Sequence, residues 1–109
     1  MLTILVLESN RLVRTMYVSG LSAFDNIEVI ETSTAEEAVA LIENGLQPDV
    51  LLTDIQLNGV SNEQFVEWFK TTCPYTQVMI SSASNDFIPG MDVLLPKPAR
   101  PNEIFSALR

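Results

Sequence analysis

Short apolar runs alternate along the chain with longer stretches in which apolar residues recur at helical spacing. A run of three or four mostly apolar residues is typical of a strand that is buried on both faces of a sheet. Five such runs occur, at Ile4–Leu7, Ile27–Ile30, Val50–Thr53, Gln77–Ile80 and Val93–Leu95. We therefore predict five short strands, with helices between most of them.

Residues that favour helix starts lie between the predicted strands. A side-chain oxygen of Ser, Thr or Asn caps a helix, and Glu or Gln three residues later completes a capping box. These signals predict four helices, beginning near Ser9 or Asn10, at Thr34, at Ser61 and at Pro101. The apolar face of the first helix is predicted to comprise Val13, Met16, Tyr17 and Leu21.

The order of the elements is strand then helix three times, followed by a strand, a loop, a strand and a closing helix. Short strands with helical connections form a parallel sheet with right-handed crossovers, so helices cover both faces. We expect a single α/β domain over residues 1–109, built on a doubly wound five-stranded parallel sheet. In such sheets ligands bind beyond the carboxyl ends of the strands, so functional residues are expected there.

The amino-acid composition excludes several classes of function. The 109 residues include 6 basic and 14 acidic side chains, a net charge of −8, which disfavours direct binding to nucleic acid or anionic lipid. The chain has no histidine, which excludes imidazole acid–base catalysis and histidine metal ligands. Its single cysteine, Cys73, cannot form an internal disulfide, and the first apolar run is too short to span a membrane. These features are typical of a cytoplasmic protein that does not enter a membrane.

Polar residues follow four of the predicted strands. Those after the first, third, fourth and fifth strands are Glu8 and Ser9, Asp54, Ser81 and Ser82, and Lys97 between two prolines. Alone, Glu8, Asp54 and Ser82 are typical of a turn, a loop or a solvated strand end. Lys97 is less typical of a loop, because the prolines on either side restrict its backbone. Together they place two carboxylates, hydroxyls and an ammonium group at one edge of the sheet. That set suits phosphoryl transfer, in which one carboxylate is the nucleophile, the other helps to hold a hard divalent cation, and Lys97 and Ser82 bind the transferred oxygens.

Five segments carry a resemblance to a known family. They are Ile4–Asn10, Pro48–Asp54, Leu57–Gly59, Val78–Ala83 and Leu94–Pro98. In these segments, and across essentially the whole chain, the sequence resembles the receiver domain of two-component response regulators. The resemblance implies the strand order 2-1-3-4-5 and a cis peptide bond before Pro98.

The resemblance also implies a role for each site residue. Asp54 matches the phosphoacceptor, which takes a phosphoryl group from a sensor histidine kinase or a phosphotransfer protein. Ser82 matches the hydroxyl residue that turns toward the phosphoryl group, and Lys97 matches the lysine that pairs with it. Mg²⁺ is implied as the cofactor, with Glu8, Asp54 and the backbone carbonyl of Gln56 as its protein ligands.

The sequence departs from the family pattern at three places. Ser9 replaces an aspartate that ligates the metal directly, and a neutral hydroxyl is a poorer ligand, so we expect weaker Mg²⁺ binding. Only 14 residues separate Ser82 from Lys97, about two helical turns fewer than usual, so the family's fourth helix is predicted to be missing or reduced. Leu94 replaces the family's aromatic switch residue and is predicted to pack in the core.

Three interpretations of the function remain at this point. The leading one is a signalling domain, not an enzyme, that is phosphorylated on Asp54 and acts through protein–protein contacts. The alternative is a pseudo-receiver, a binding module that acts without phosphate, which Ser9 and the reduced helix suggest. A flavodoxin-like enzyme or cofactor carrier is a distant third, because the first strand is not followed by a Gly-rich phosphate loop. The sequence identifies neither the kinase nor the downstream partner nor the oligomeric state, nor whether the chain belongs to a longer protein.

Overall fold

Strands and helices form where the sequence pattern places them. The computed structural model describes residues 1–54, 62–82 and 88–108. Within these residues there are five strands, β1 (Leu2–Leu7), β2 (Ile27–Thr32), β3 (Val50–Asp54), β4 (Gln77–Ser82) and β5 (Val93–Pro96). The same residues contain four helices, α1 (Arg11–Leu21), α2 (Ala35–Glu43), α3 (Asn62–Thr72) and α4 (Pro101–Ser106).

The five strands form one parallel sheet in the order β2-β1-β3-β4-β5, which confirms the predicted fold class and strand order. All residues of β3 and β4 are buried, as expected for strands covered on both faces. The chain runs outward in opposite directions from β1 and β3. In folds of this type, ligands bind at the carboxyl ends of the two strands where the direction reverses.

Two apolar clusters, one on each face of the sheet, form the core. Leu51 of β3 and Phe69 of α3 belong to the cluster that α2 and α3 cover. Leu52 of β3, Tyr17 of α1 and Ile104 of α4 belong to the cluster on the opposite face. Since successive residues of a strand point to opposite faces, the continuous apolar runs supply both clusters at once.

The described helices begin at the predicted caps, and the structure decides between the two candidate caps of α1. Asn10, rather than Ser9, caps α1, because its side-chain oxygen accepts a hydrogen bond from the backbone N–H of Val13 at 3.1 Å. Thr34 caps α2 by accepting a hydrogen bond from the backbone N–H of Glu37 at 3.2 Å. Pro101 lies in the first turn of α4 as predicted. Ser61, the predicted cap of α3, lies outside the described residues.

One predicted core residue of α1 is wrong. Met16 is 37% exposed, whereas Tyr17 and Leu21 are buried and Val13 is partly buried. These three residues recur every four positions and form a narrow stripe, so a residue one position earlier faces away from the sheet. Leu94 of β5 is partly buried and packs against the core, as predicted.

A turn precedes β5, and none of the described residues between β4 and β5 is helical, in keeping with a reduced fourth family helix. Residues 83–87 lie outside the described part. Gly90 has a positive φ of 91°, and a Cβ there would come within 3.0 Å of Val66 Cγ1, so the turn lies directly on α3. Asp92 fixes the turn because its carboxylate accepts hydrogen bonds from Val78 N at 2.7 Å and from Lys70 Nζ at 3.0 Å. None of the described helices is long and apolar enough to cross a bilayer.

Candidate functional site

The sheet brings Glu8 and Asp54 together at its carboxyl edge. Glu8 is the residue after β1, and Asp54 is the last residue of the neighbouring strand β3. Both are buried, with 1% of Glu8 and 8% of Asp54 exposed. The backbone N–H of Glu8 donates to the carbonyl of Thr32 at 3.1 Å, which continues the β1–β2 ladder through the site residue. Two acidic side chains are thus removed from water at this edge.

Lys97 follows the edge strand β5, and its side chain reaches both carboxylates. Its Nζ lies 2.5 Å from Asp54 Oδ2, and 3.2 Å and 3.3 Å from the two carboxylate oxygens of Glu8. Lys97 follows β5, which is two strands away from β3, and its side chain is 22% exposed. The peptide bond between Lys97 and Pro98 is cis, which confirms the prediction. Three of the predicted site residues therefore form one hydrogen-bonded cluster.

The remaining contacts of Glu8 hold its backbone and one carboxylate oxygen. Oε2 accepts a hydrogen bond from the backbone N–H of Asn10 at 2.9 Å. The guanidinium of Arg14 donates to the backbone carbonyl of Glu8 at 2.8 Å and lies 3.5 Å from Glu31. The side chain of Arg14 is 17% exposed, so it is a partly buried support for the backbone of Glu8.

The charges of the cluster do not balance. Among the described residues, two carboxylates contact one ammonium group, so negative charge exceeds positive charge within the cluster. Burial alone lowers the pKa of Lys97, but the hydrogen bonds and charges of Asp54 and Glu8 outweigh burial, so the pKa of Lys97 is raised above its ordinary value. Lys97 is therefore held in its charged form against Asp54.

The raised pKa of Lys97 makes the stability of the protein sensitive to alkaline pH. A group whose pKa is higher in the folded state stabilises that state below its unfolded pKa, about 10.4 for lysine, and the contribution is lost as the pH rises through the folded pKa. The free energy of unfolding is expected to fall over this range by more in the wild type than in Lys97→Met. Urea unfolding from about pH 9 to about pH 12 measures the difference. Parallel falls in the two proteins would contradict the assignment.

One buried oxygen of the cluster lacks a hydrogen bond. Within the described residues, Glu8 Oε1 has no hydrogen-bond partner, although the ammonium of Lys97 lies 3.2 Å away. A buried carboxylate oxygen of this kind, beside a second carboxylate and an unbalanced negative charge, fits a hard divalent cation. No group of three or more acidic, histidine or cysteine side chains gathers in the described part of the chain, so the fit rests on two carboxylates.

The other predicted site residues take different places. Ser82 ends β4, is buried and pairs with Pro96 in the sheet register. Ser9 is exposed next to buried Glu8, and Gln56 lies outside the described residues. Ser81, which the sequence places beside Ser82 at the end of the fourth strand, is fully buried and pairs with Asp54 in the register. The resemblance to the family assigns it no role, and its contacts follow only from the structure.

Comparisons with known proteins agree with this geometry. A family model described as the response regulator receiver domain matches residues 4–109. No curated protein matches the chain. A response regulator from Burkholderia pseudomallei, solved with a phosphorylated aspartic acid, calcium ion and citrate, superimposes with a TM-score of 0.86 at 19% identity, over 100% of this chain and 67% of that chain.

Two smaller proteins match over most of their length. The chemotaxis response regulator CheY4 of Vibrio cholerae has a TM-score of 0.84 at 19% identity, covering 99% of this chain and 96% of that chain. A receiver domain protein from Methanospirillum hungatei has a TM-score of 0.85 at 21% identity, with coverage of 97% and 89%. Receiver domains are signalling domains of two-component systems that typically interact with histidine kinases or phosphotransfer proteins. The shared fold, together with the family match over nearly the whole chain, shows that this protein belongs to the response regulator receiver domain family.

Proposed function

We propose that this receiver domain accepts a phosphoryl group on Asp54 from the phosphohistidine of a sensor histidine kinase or a phosphotransfer protein, and then signals through protein–protein contacts. The observation that carries the proposal is the direct contact of Lys97 with Asp54, beside buried Glu8, at the carboxyl edge of the sheet. A carboxylate can act as the nucleophile in phosphoryl transfer, and an ammonium group beside it can neutralise charge on the transferring oxygens.

Each described residue has a separate task in this reaction. An oxygen of Asp54 attacks the phosphorus, the bond from phosphorus to the donor nitrogen breaks, and an aspartyl phosphate forms. Negative charge on the transferring oxygens is neutralised by the ammonium of Lys97, which is charged before the donor arrives. The hydroxyl of Ser82, at the end of the strand next to β3, is proposed to donate to the phosphoryl group after transfer.

Mg²⁺ is the proposed cofactor. Glu8, Asp54 and the backbone carbonyl of Gln56 would hold it, and Ser9 would contribute at most a neutral hydroxyl. When bound, Mg²⁺ neutralises charge on the phosphoryl oxygens. The excess of carboxylate over ammonium charge among the described residues, and the Glu8 Oε1 atom that lacks a hydrogen bond there, support a cation at this position.

Intact-mass spectrometry tests the proposal on the wild-type protein. Incubation with acetyl phosphate and Mg²⁺ is expected to add one phosphoryl group, and omission of Mg²⁺ or addition of a chelator is expected to reduce the adduct strongly, because charge on the donor is then not neutralised. Absence of an adduct with acetyl phosphate and with a panel of phosphorylated histidine kinases would reject phosphorylation and leave a phosphate-independent binding module.

Ser9→Asp is expected to tighten Mg²⁺ binding about tenfold, because a third carboxylate beside Glu8 and Asp54 adds a charged ligand where the wild type has an exposed hydroxyl. Calorimetric titration of the metal measures the change. Ser9→Asn is the matched control, since it adds a similar side chain without the charge. Equal affinities in Ser9→Asp and Ser9→Asn would place the metal away from position 9.

A further inference from the structure

A buried pair of hydroxyl groups connects helix α1 to the segment that carries Lys97. The phenolic oxygen of Tyr17 lies 2.7 Å from Ser81 Oγ, and both residues are at most 1% exposed. Ser81 Oγ donates to the backbone carbonyl of Pro96 at 3.3 Å. The backbone N–H of Ala99 donates to the phenolic oxygen of Tyr17 at 3.4 Å. The pair therefore contacts the chain on both sides of Lys97 and Pro98.

We call the chain of hydrogen bonds from Ala99 through Tyr17 and Ser81 to Pro96 the hydroxyl relay. The donors and acceptors at its two ends determine which hydroxyl donates to the other. A carbonyl only accepts and a backbone N–H only donates, and each hydroxyl has one proton to give. Since Ser81 gives its proton to Pro96, Tyr17 donates to Ser81 and accepts from Ala99. The relay thus runs from the N–H of Ala99, through the two hydroxyls, to the carbonyl of Pro96, and every proton is used once.

The position of Lys97 explains why such a relay matters. The lysine follows β5 at one edge of the sheet, and its ammonium must pass β4 to reach Asp54 on β3. Two strand spacings are about 10 Å, so a small shift of the backbone at position 97 displaces the ammonium from the carboxylate. Tyr17 belongs to the apolar cluster on this face and Ser81 is fully buried. Two buried hydroxyls have little net benefit to stability over apolar side chains that fill the same space. The hydroxyls therefore serve position rather than packing.

We propose that Tyr17 and Ser81 are positioning residues for Lys97. Their hydroxyl relay fixes the backbone from Pro96 to Ala99, and this holds the ammonium against Asp54 for phosphoryl transfer. The proposal rests on the proposed function for its effect on rate, but its effect on Lys97 itself is independent of phosphate. The relay lies on the α1 and α4 face of the sheet, on the side opposite to the turn that precedes β5.

Two variants remove the relay with little change of shape. Tyr17→Phe deletes only the phenolic oxygen, and Ser81→Ala deletes only Oγ. Thr76→Val is the matched control, because it removes another buried hydroxyl that donates to a carbonyl, that of Pro48 at 2.6 Å, at the opposite edge of the sheet. The measurements are the pKa of Lys97, from the NMR signals of its Cε methylene, and the rate of phosphorylation by acetyl phosphate at saturating Mg²⁺.

The expected result is a lower pKa of Lys97 and an approximately tenfold slower phosphorylation in both relay variants, with neither change in Thr76→Val even where its thermal stability falls equally. An unchanged pKa of Lys97 in the relay variants, or an equal change in Thr76→Val, would overturn the proposal. If the wild type takes up no phosphate, the proposed function fails and the pKa comparison still decides the role of the relay. If one relay variant does not fold, the other decides.

Discussion

Asp54→Asn is expected to reduce phosphate incorporation to the level seen without a donor. The substitution keeps the size of the side chain but replaces a carboxylate with an amide, whose oxygen is a poor nucleophile and cannot form a stable acyl phosphate. Because Glu8 still pairs with Lys97 in the variant, the fold is expected to persist. Intact-mass spectrometry after incubation with acetyl phosphate and Mg²⁺ provides the measurement.

Asp25→Asn is the matched control for this experiment. Asp25 is exposed and lies just before β2, whose opposite end points to the site. This control is expected to incorporate as much phosphate as the wild type. An Asp54→Asn protein that is folded and phosphorylated to the wild-type extent would mean that another residue is the acceptor.

Lys97→Met is expected to slow phosphorylation about 100-fold, because the variant loses the group that neutralises charge on the transferring oxygens. Methionine is unbranched and of similar length, so it fills the space of the lysine stem without the charge. Single-turnover phosphorylation with acetyl phosphate at saturating Mg²⁺ measures the effect. The phosphorylation rate of Lys97→Arg is expected to lie between those of the wild type and Lys97→Met, since arginine keeps the positive charge but carries it on a wider, planar guanidinium.

Lys97→Met is also expected to bind Mg²⁺ more tightly than the wild type. The ammonium of Lys97 lies against the carboxylate oxygens that would ligate the metal, so it repels the cation and competes for the same oxygens. A slower reaction with tighter metal binding cannot arise from general unfolding, which would weaken both. Wild-type rates in Lys97→Met, or weaker metal binding with slower transfer, would contradict the assigned role of Lys97.

The sequence predicts the fold well because its signals are local. Short, mostly apolar runs predict all five strands. The structure lengthens the first two, because the backbone ladder between β1 and β2 continues through polar Thr3 and Glu31. The sequence does not distinguish between Ser9 and Asn10 as the cap of α1, because both residue types are good caps. Only the three-dimensional start of the helix selects Asn10.

The carboxyl-edge residues are predictable for a related reason. Parallel strands align their ends, so Glu8, Asp54 and Lys97 can be placed together from strand order alone. Distances are a different matter. That Lys97 contacts both carboxylates, and that one oxygen of Glu8 lacks a hydrogen bond, depends on packing between strands far apart in sequence.

Sequence reasoning missed the polar contacts that the tips of Tyr17 and Arg14 make. A phenylalanine would fit the apolar stripe of α1 as well as Tyr17 does. The contact of the Tyr17 hydroxyl with Ser81, 64 positions away, therefore leaves no pattern in the sequence. Arg14 looks like an exposed helix residue, yet it binds the backbone of Glu8. In both cases the side chain has an apolar stem and a polar tip, and periodicity records only the stem.

Direct location of the phosphoryl group tests the central claim most sharply. Borohydride reduces an acyl phosphate to an alcohol and so converts phosphorylated aspartate to homoserine, which tandem mass spectrometry of peptides can locate. After incubation of the wild-type protein with acetyl phosphate and Mg²⁺, homoserine is expected at position 54 and at no other aspartate. Reduction products at another acidic residue, with position 54 unmodified, would contradict the account of Asp54 as the phosphoacceptor beside Lys97.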